Sequence, residues 1–449
     1  MNYLNQEDTI CAIATGGNMS AIAIIRISGN KAIKITNSIF NKDISNVKTH
    51  TIHFGNIINN KKVIDEVLIS IYKNNKSFTG EESVEISCHG SLYIQNKIIQ
   101  LLIEKGCRIA NPGEFSMRAF KNGKIDLSQA ESIEDLISSQ SKKAHEIALK
   151  QLRGGFSNKL KKLRNQLIDF ASLIELELDF SEEDVEFANK EQFENLLKLI
   201  KKELHILIES FKLGNVIKNG ISVAIIGAPN VGKSTLLNCL LNEEKAIVSE
   251  IAGTTRDIIE DKLIIKGLKF RFIDTAGIRK TEDTIENIGI KKSIAKAQDA
   301  NIIIHLLEAT KNIENQIKNL NKISKKDSLL VINKVDLNPQ IKNNYKDAIF
   351  ISAKKNKGIN SLKESLLSFV NIKDLSNDQT IITNLRHYNE LLLTLNEIDV
   401  IIKGLKDGIT SDFLSINIRQ ALFHLGSITG EVTTDDLLGN IFSKFCIGK

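Results

Sequence analysis

One octapeptide constrains the fold more than any other feature of this 449-residue chain: Gly227-Ala228-Pro229-Asn230-Val231-Gly232-Lys233-Ser234. It follows the apolar run ISVAII and precedes STLLNCLL, whose leucines recur at helical spacing. A strand, a glycine-containing loop and a helix start, in that order, make a cradle for phosphate. The glycines let backbone N–H groups turn inward, and the helix N-terminus adds its dipole. In such a loop Asn230, Val231, Gly232, Lys233, Ser234 and Thr235 are the candidate contacts, with Lys233 reaching the β/γ oxygens and Ser234 ligating magnesium. The runs FRFID, NIIIHLL, SLLVIN and AIFIS, interleaved with helical segments, supply further strands of a largely parallel sheet. Residues 215–372 are therefore expected to form one α/β domain.

Three further stretches of that domain narrow the ligand. Asp274-Thr275-Ala276-Gly277 ends FRFI, which puts Asp274 by the magnesium water shell and the Gly277 N–H by a γ-phosphate. Asn333-Lys334-Val335-Asp336 follows SLLVI, and a carboxylate at Asp336 accepts two N–H bonds from guanine where adenine offers no matching pair. Ser352-Ala353-Lys354 follows AIFI and offers a backbone N–H to the guanine carbonyl. Four elements in this order, each at a strand end, make the substrate GTP. Ile278 after DTAG cannot orient water as a glutamine would, so another device is required. One candidate is Gly253-Thr254-Thr255-Arg256-Asp257, with Thr255 closing on magnesium and the loop holding a further cation. The other is Glu286, which on its own reads as a solvated charge.

The length exceeds what one core supports, so two or three domains are expected. Residues 1–121 alternate apolar runs and glycine-containing turns, an α+β pattern. Apolar residues then fall at helical spacing, with Phe156, Leu160, Leu163, Leu167, Phe170, Ile174 and Leu178 on one face and Leu197, Ile200, Leu204, Leu207 and Phe211 on another. The helical period returns after 373, where Asp412 or Ser411 is the expected start cap of a helix and Gly426 its expected end. Helical segments at 122–214 and 373–449 imply that the α/β domain is inserted into a helical one. Lys+Arg at 60 against Asp+Glu at 54 gives a net charge of +6, which permits a nucleic-acid partner without arguing for one. No run reaches membrane-helix length, the N-terminal residues lack a leader pattern, and five scattered cysteines suggest neither zinc nor a disulfide framework. A cytoplasmic protein with reduced thiols is expected.

Taken together, GAPNVGKSTLLN, AIVSEIAGTTRD, DTAGIRKTEDTIENIGI and the terminal FCIGK resemble the MnmE (TrmE) family of bacterial tRNA modification GTPases. The resemblance runs through the flanking segments SFTGEESVEISCHG, NPGEFSMRAFKNGKIDLSQAESIEDLI and LGSITGEVTTDDLLGNIFSKFCIGK. It implies a folate-binding, dimer-forming N-terminal domain, a discontinuous helical domain and an inserted Ras-like P-loop GTPase domain. It also implies a heterotetramer with the flavoprotein MnmG, FAD residing on that partner only. The pair would install an aminomethyl or carboxymethylaminomethyl group on carbon 5 of the wobble uridine in certain tRNAs. The one-carbon unit would come from a 5-formyl or 5,10-methylene tetrahydrofolate.

In that family a potassium ion supplies the charge of an arginine finger, and dimerising GTPase domains trigger hydrolysis. Asn230, Ser249, Ile251 and Thr254 match the potassium positions, with Ser249 standing where threonine is common. Glu250, Ala252 and Gly253 complete the nucleotide-facing loop, and Glu286 matches the water-orienting glutamate. Arg26, Glu85, Lys124 and Lys449 match the folate ligands. Where the family usually has Gly-Arg-Gly-Gly, this chain reads Gly16-Gly17-Asn18-Met19-Ser20. Cys446 is a candidate nucleophile or a small buried residue. The competing reading is a regulatory switch GTPase in assembly of the ribosome or another RNA particle, which FTGEE, NGKID and FCIGK in the flanking domains disfavour.

Overall fold

The computed structural model describes residues 8–73, 75–179, 190–242, 261–273, 300–320, 328–343, 345, 347–369, 380–443, 445–446 and 448. The chain packs as two compact units. The first comprises Met1–Ile137, Ala148–His205 and Asn389–Lys449, and the second Ser138–Ile147 and Ile206–Tyr388.

The first unit opens with a six-stranded sheet built from β1 (Ile10–Ile13), β2 (Ser20–Ser28), β3 (Thr51–Asn59), β4 (Lys62–Tyr72), β5 (Ser83–Gly90) and β6 (Arg108–Ile109), in the order β3-β4-β5-β2-β1-β6. Every pairing is antiparallel except β1 with β6. The period-2 alternation of β2 and β5 sorts their side chains. Ala23, Ile25, Ile27, Val84, Ile86 and Cys88 enter the core, joined there by Ile98, Leu101 and Leu102 of the helix Leu92–Glu104. Arg26 and Glu85, directly opposite across the strand pair, belong to the other face.

In the helical part of this unit Phe156, Leu160, Leu163, Leu167 and Ile174 of the predicted stripe are buried along the helix Gly155–Asp179, while the side chain of Leu178 lies outside the described residues. Phe170 stacks on Phe193, ring centroids 4.9 Å apart. The capping expectation is corrected. The helix Ser411–Thr429 runs through Gly426 and ends at Gly430, with Thr410 at its N-terminal cap. Gly430 has φ 87°, and a Cβ there would meet the Phe120 ring at 2.6 Å, so that position demands glycine.

The second unit carries β7 (Ile221–Ile226), β8 (Asp261–Ile265), β9 (Leu268–Ile273), β10 (Ile302–Glu308), β11 (Ser328–Asn333) and β12 (Ile349–Phe350), ordered β12-β11-β10-β7-β9-β8. All pairings are parallel except β8 with β9. A strand buried on both faces tolerates no alternation, and Ile221 to Ile225 are accordingly all buried. Leu236 and Leu240 of the helix Lys233–Asn242, with Leu362 and Leu366 of the helix Ile359–Ser368, pack into one large cluster. Ile313 of the helix Ile313–Leu320 joins a separate one with Leu307 and Ile332. From β7 the chain adds strands first on one side and then on the other. The carboxyl end of β7 is thus the switch point where an open α/β sheet binds its ligand.

Candidate nucleotide-binding site

The loop after β7 leads straight into the helix Lys233–Asn242, whose first turn carries no acidic side chain to neutralise its N–H groups. Asn230 and Gly232 both take positive φ, 64° and 101°. At Gly232 a Cβ would lie 2.4 Å from Asn333 Nδ2, so this glycine is required for conformation and for space. Lys233 Nζ donates to the carbonyls of Gly227 at 2.7 Å and Ala228 at 3.2 Å, which holds the ammonium over the loop it closes. Ser234 and Thr235 are exposed in the first helical turn, where a hydroxyl is available to a cation.

Asn333, at the end of β11 and 2% exposed, ties three predicted motifs together. Its Nδ2 donates to Val231 O at 2.9 Å, and its Oδ1 accepts from the Ala353 N–H at 3.0 Å. Lys334, at φ 63°, donates from Nζ to Asn230 O at 2.9 Å and pairs with Glu308 Oε1 at 2.7 Å. The Lys334 ammonium is the main cause that brings the Glu308 carboxyl down to about 2, with Lys311 and Thr310 adding hydrogen bonds. Glu308 carried no sequence signal, since it ends an apolar strand and belongs to no motif.

Asp336 is held by Ser352, whose Oγ donates to Oδ1 at 2.7 Å, while Lys355 Nζ lies 3.7 Å from Oδ2. The Ser352 hydrogen bond, more than the nearby Lys355 charge, keeps the Asp336 carboxyl below the ordinary range. An ionised carboxylate only accepts, which is the property needed to read adjacent N–H donors. Ser352 also caps the short 3-10 helix Ala353–Lys355, accepting from the Lys355 N–H. That turn presents Ala353 and Lys354 beside the carboxylate. The remaining predicted nucleotide and cation residues, Ser249 to Thr255, Asp274 to Gly277 and Glu286, lie outside the described residues.

A second predicted constellation sits on the N-terminal sheet. Arg26 Nε and Nη2 both reach Glu85 Oε1, at 2.9 and 2.8 Å. The Arg26 guanidinium stands 5.7 Å from the ring centres of both Phe78 and Phe115. Its Nη1 donates to Gly448 O at 3.4 Å, so the C-terminal tail meets the sheet here. A Cβ at Gly448 would lie 2.4 Å from Ile13 O. Lys124 Nζ donates to Asn75 O at 2.9 Å, and Asn122 Nδ2 to Thr79 O at 2.7 Å, anchoring the segment that carries Phe78. Lys449 lies outside the described residues. Cys446 is exposed, which removes the buried alternative, and its carbonyl accepts from the Gly113 N–H at 3.4 Å.

Beneath this constellation lies an ion network with no counterpart in the sequence reading. Arg118, 3% exposed at its side chain, meets Glu114 at 2.9 Å, Asp8 at 2.9 Å and Glu81 at 3.2 Å, and Arg108 meets Glu114 at 2.6 Å. Burial pushes the Glu114 carboxyl up, but hydrogen bonds from Arg108, the Asn111 N–H and Arg118 outweigh it and leave it lowered. Ser28 Oγ donates to Glu81 Oε2 at 2.7 Å, so SFTGEE serves partly as a clamp.

Residues 127–446 match the family model of the MnmE helical domain, and residues 9–124 that of the GTP-binding protein TrmE N-terminus. The tRNA modification GTPase MnmE of Flavobacterium johnsoniae is 54% identical over 466 residues, covering 99% of both chains. Its namesake from Flavobacterium psychrophilum is 55% identical over 462 residues at the same coverage. Among solved structures, the FeoB G-domain of Methanococcus jannaschii is 25% identical across 33% of this chain and 97% of its own, with a TM-score of 0.26. Two flanking domains matched in order and near-complete coverage at such identity leave one conclusion: this chain belongs to the MnmE family of tRNA modification GTPases.

Proposed function

We propose that this chain hydrolyses GTP in a potassium-assisted cycle that drives folate-dependent modification of the wobble uridine in certain tRNAs, together with the flavoprotein MnmG. The observation that carries the GTPase part is Asn333, which joins the phosphate loop to the turn beside Asp336. Phosphate cradle and base reader are thereby held in one frame, so binding of guanine and positioning of the γ-phosphate are mechanically linked.

The residues present fit the groups this reading requires. Lys233, the exposed hydroxyl of Ser234 and the acid-free helix start suit a triphosphate with magnesium, and Thr255 would be the second magnesium ligand. Magnesium would neutralise charge on the phosphates. Asn230, exposed at the loop tip, would supply a side-chain oxygen to potassium alongside Ser249, Ile251 and Thr254, with Glu286 orienting water. Arg26, Glu85, Lys124 and Lys449 would hold the tetrahydrofolate, whose pterin edge and glutamate tail need donors and acceptors of both charges. Cys446 is exposed on the same tail and stays available as a nucleophile. A homodimer is supported by exposed apolar side chains on the N-terminal sheet: Phe54 and Leu68 face each other across β3 and β4 beside Ile52. The domain boundaries at 121, 214 and 372 and a cytoplasmic site of action belong to the same proposal. Among the described residues no helix is long and apolar enough to cross a membrane.

The test is nucleoside mass spectrometry of tRNA from host cells lacking the gene. Loss of the modified wobble uridines, restored by the wild-type chain and not by Lys233→Ala, is the expected result. Unchanged wobble nucleosides in the deletion strain reject the proposal and favour the assembly switch.

A further inference from the structure

Phe78 is 39% exposed, although the residues on both sides of it, Ser77 and Thr79, are buried. Thr79 Oγ1 shares a hydrogen bond with Ser28 Oγ at 2.7 Å, and Ser77 Oγ donates to Glu81 O at 2.6 Å. Gly80 takes φ 80°, and a Cβ there would meet Asn122 Cβ at 3.0 Å and Lys124 Cγ at 3.3 Å, so the turn that follows the ring demands glycine. Together with the Asn122 bond to Thr79 O, these contacts pin the loop to β2 and to the segment carrying Lys124, and leave the phenyl ring outside. A single exposed apolar side chain is ordinary on a protein surface. One clamped between buried neighbours and set against a charged group is held in one place by the fold.

That charged group is the Arg26 guanidinium, 5.7 Å from the Phe78 ring centre and bonded twice to Glu85 Oε1. The cation fixes the ring and leaves the rest of its surface open. Both Arg26 bonds fall on one carboxylate oxygen, so Glu85 Oε2 carries none among the described residues. Its neighbour on the β4 side is Ser70, whose short side chain leaves room beside it. Phe78 and the open carboxylate oxygen therefore adjoin the same guanidinium, within reach of one bicyclic ligand. Lys124 Nζ, on Asn75 O, brings an ammonium to the same loop. An aromatic surface, an acceptor without a donor and a cation are gathered around one rigid turn.

From this juxtaposition we infer that Phe78 is the ring-stacking residue of the folate site: the pterin lies against its exposed surface and donates its N–H edge to Glu85 Oε2. The inference rests on tetrahydrofolate being the ligand of this constellation. The pyrimidine half of a reduced pterin is flat, so it can stack on the phenyl ring and bury the apolar surface that remains exposed. A carboxylate accepts from adjacent N–H groups of that half, while the anionic glutamate tail is left to the cations. Phe78 thereby selects the ring, and Lys124 the tail.

The test is calorimetry of the full-length protein with 5-formyltetrahydrofolate, comparing wild type, Phe78→Leu and Phe78→Tyr, with melting temperature verifying the fold. Leucine keeps an apolar side chain and removes the aromatic surface; tyrosine keeps that surface. The leucine variant should bind at least about tenfold more weakly, and the tyrosine variant within about threefold of wild type. Binding by Phe78→Leu equal to wild type, or equal losses in the leucine and tyrosine variants, overturns the inference and leaves the folate reading standing. Absence of binding to the wild-type protein rejects the folate reading itself, and the inference with it.

Discussion

Asn333→Ala tests the linkage between phosphate cradle and base reader. The amide orientation is fixed because one neighbour is a carbonyl and the other an N–H. Truncation strands both, Val231 O and Ala353 N, in surroundings where Val231 and Ala353 are 1% and 5% exposed. Leaving a buried donor or acceptor unsatisfied costs about 1–3 kcal/mol each, so the two loops together should lose about 2–6 kcal/mol of local stability. Even about 2 kcal/mol lowers amide protection about 30-fold. Hydrogen exchange by mass spectrometry on the full-length protein reads this directly, on peptides covering 227–233 and 351–355. Asn333→Asp separates the two arms, since it keeps the acceptor for Ala353 N and turns the donor toward Val231 O into a second acceptor. It should loosen 227–233 and spare 351–355. Unchanged protection of both peptides in the alanine variant, or equal loosening of both in the aspartate variant, refutes the strut.

Other perturbations reach the remaining contacts. Asp336→Asn should weaken GTP by about 10- to 150-fold, the worth of a hydrogen bond to a charged group, and improve xanthosine triphosphate, which presents a carbonyl where guanine presents an amino group; competition binding with the two nucleotides checks it. The Glu308 carboxyl is lowered from 4.5 to about 2, so its stabilising pair with Lys334 is complete above pH 4.5 and is lost as pH falls toward 2. The melting-temperature gap between wild type and Glu308→Gln should therefore close across that window, and a gap that stays constant contradicts the pairing. Gly448→Ala puts a methyl against Ile13 O and should lift the tail from Arg26, weakening tetrahydrofolate binding measured by calorimetry while GTP turnover by the same protein holds.

The phosphate loop was legible because its signal is local: strand, turn and helix start are contiguous, and each obeys a short-range rule. The same holds for β11 running into Asn333 and for the stripe from Phe156 to Ile174. What Asn333 does was not legible, since its partners lie 102 and 20 residues away and nothing in NKVD reports them. Glu308 was missed for the same reason, as was the Arg118 network, which joins residues up to 110 positions apart. The end of the helix Ser411–Thr429 was misread between two glycines four residues apart. Both permit a stop; the Phe120 ring and the backbone at φ 87° select Gly430. Among the folate candidates, Arg26 and Glu85 fall opposite each other by strand register, a pairing that becomes visible once β2 and β5 are known to be neighbours.

Potassium-assisted hydrolysis of GTP is decided by nucleotide turnover of the purified full-length protein, GTP against ATP, in potassium against sodium at matched ionic strength. Asn230→Ala and Asn230→Gly belong in the same experiment. Asn230 sits at φ 64°, where alanine adds a backbone cost of about 1–2 kcal/mol that glycine avoids. Turnover of GTP and not of ATP is expected, strongly faster in potassium, with the potassium stimulation lost in both variants while GTP stays bound. Equal rates in the two salts, or stimulation that survives in Asn230→Gly, would contradict the potassium-assisted mechanism, and turnover of ATP would contradict the reading of Asp336.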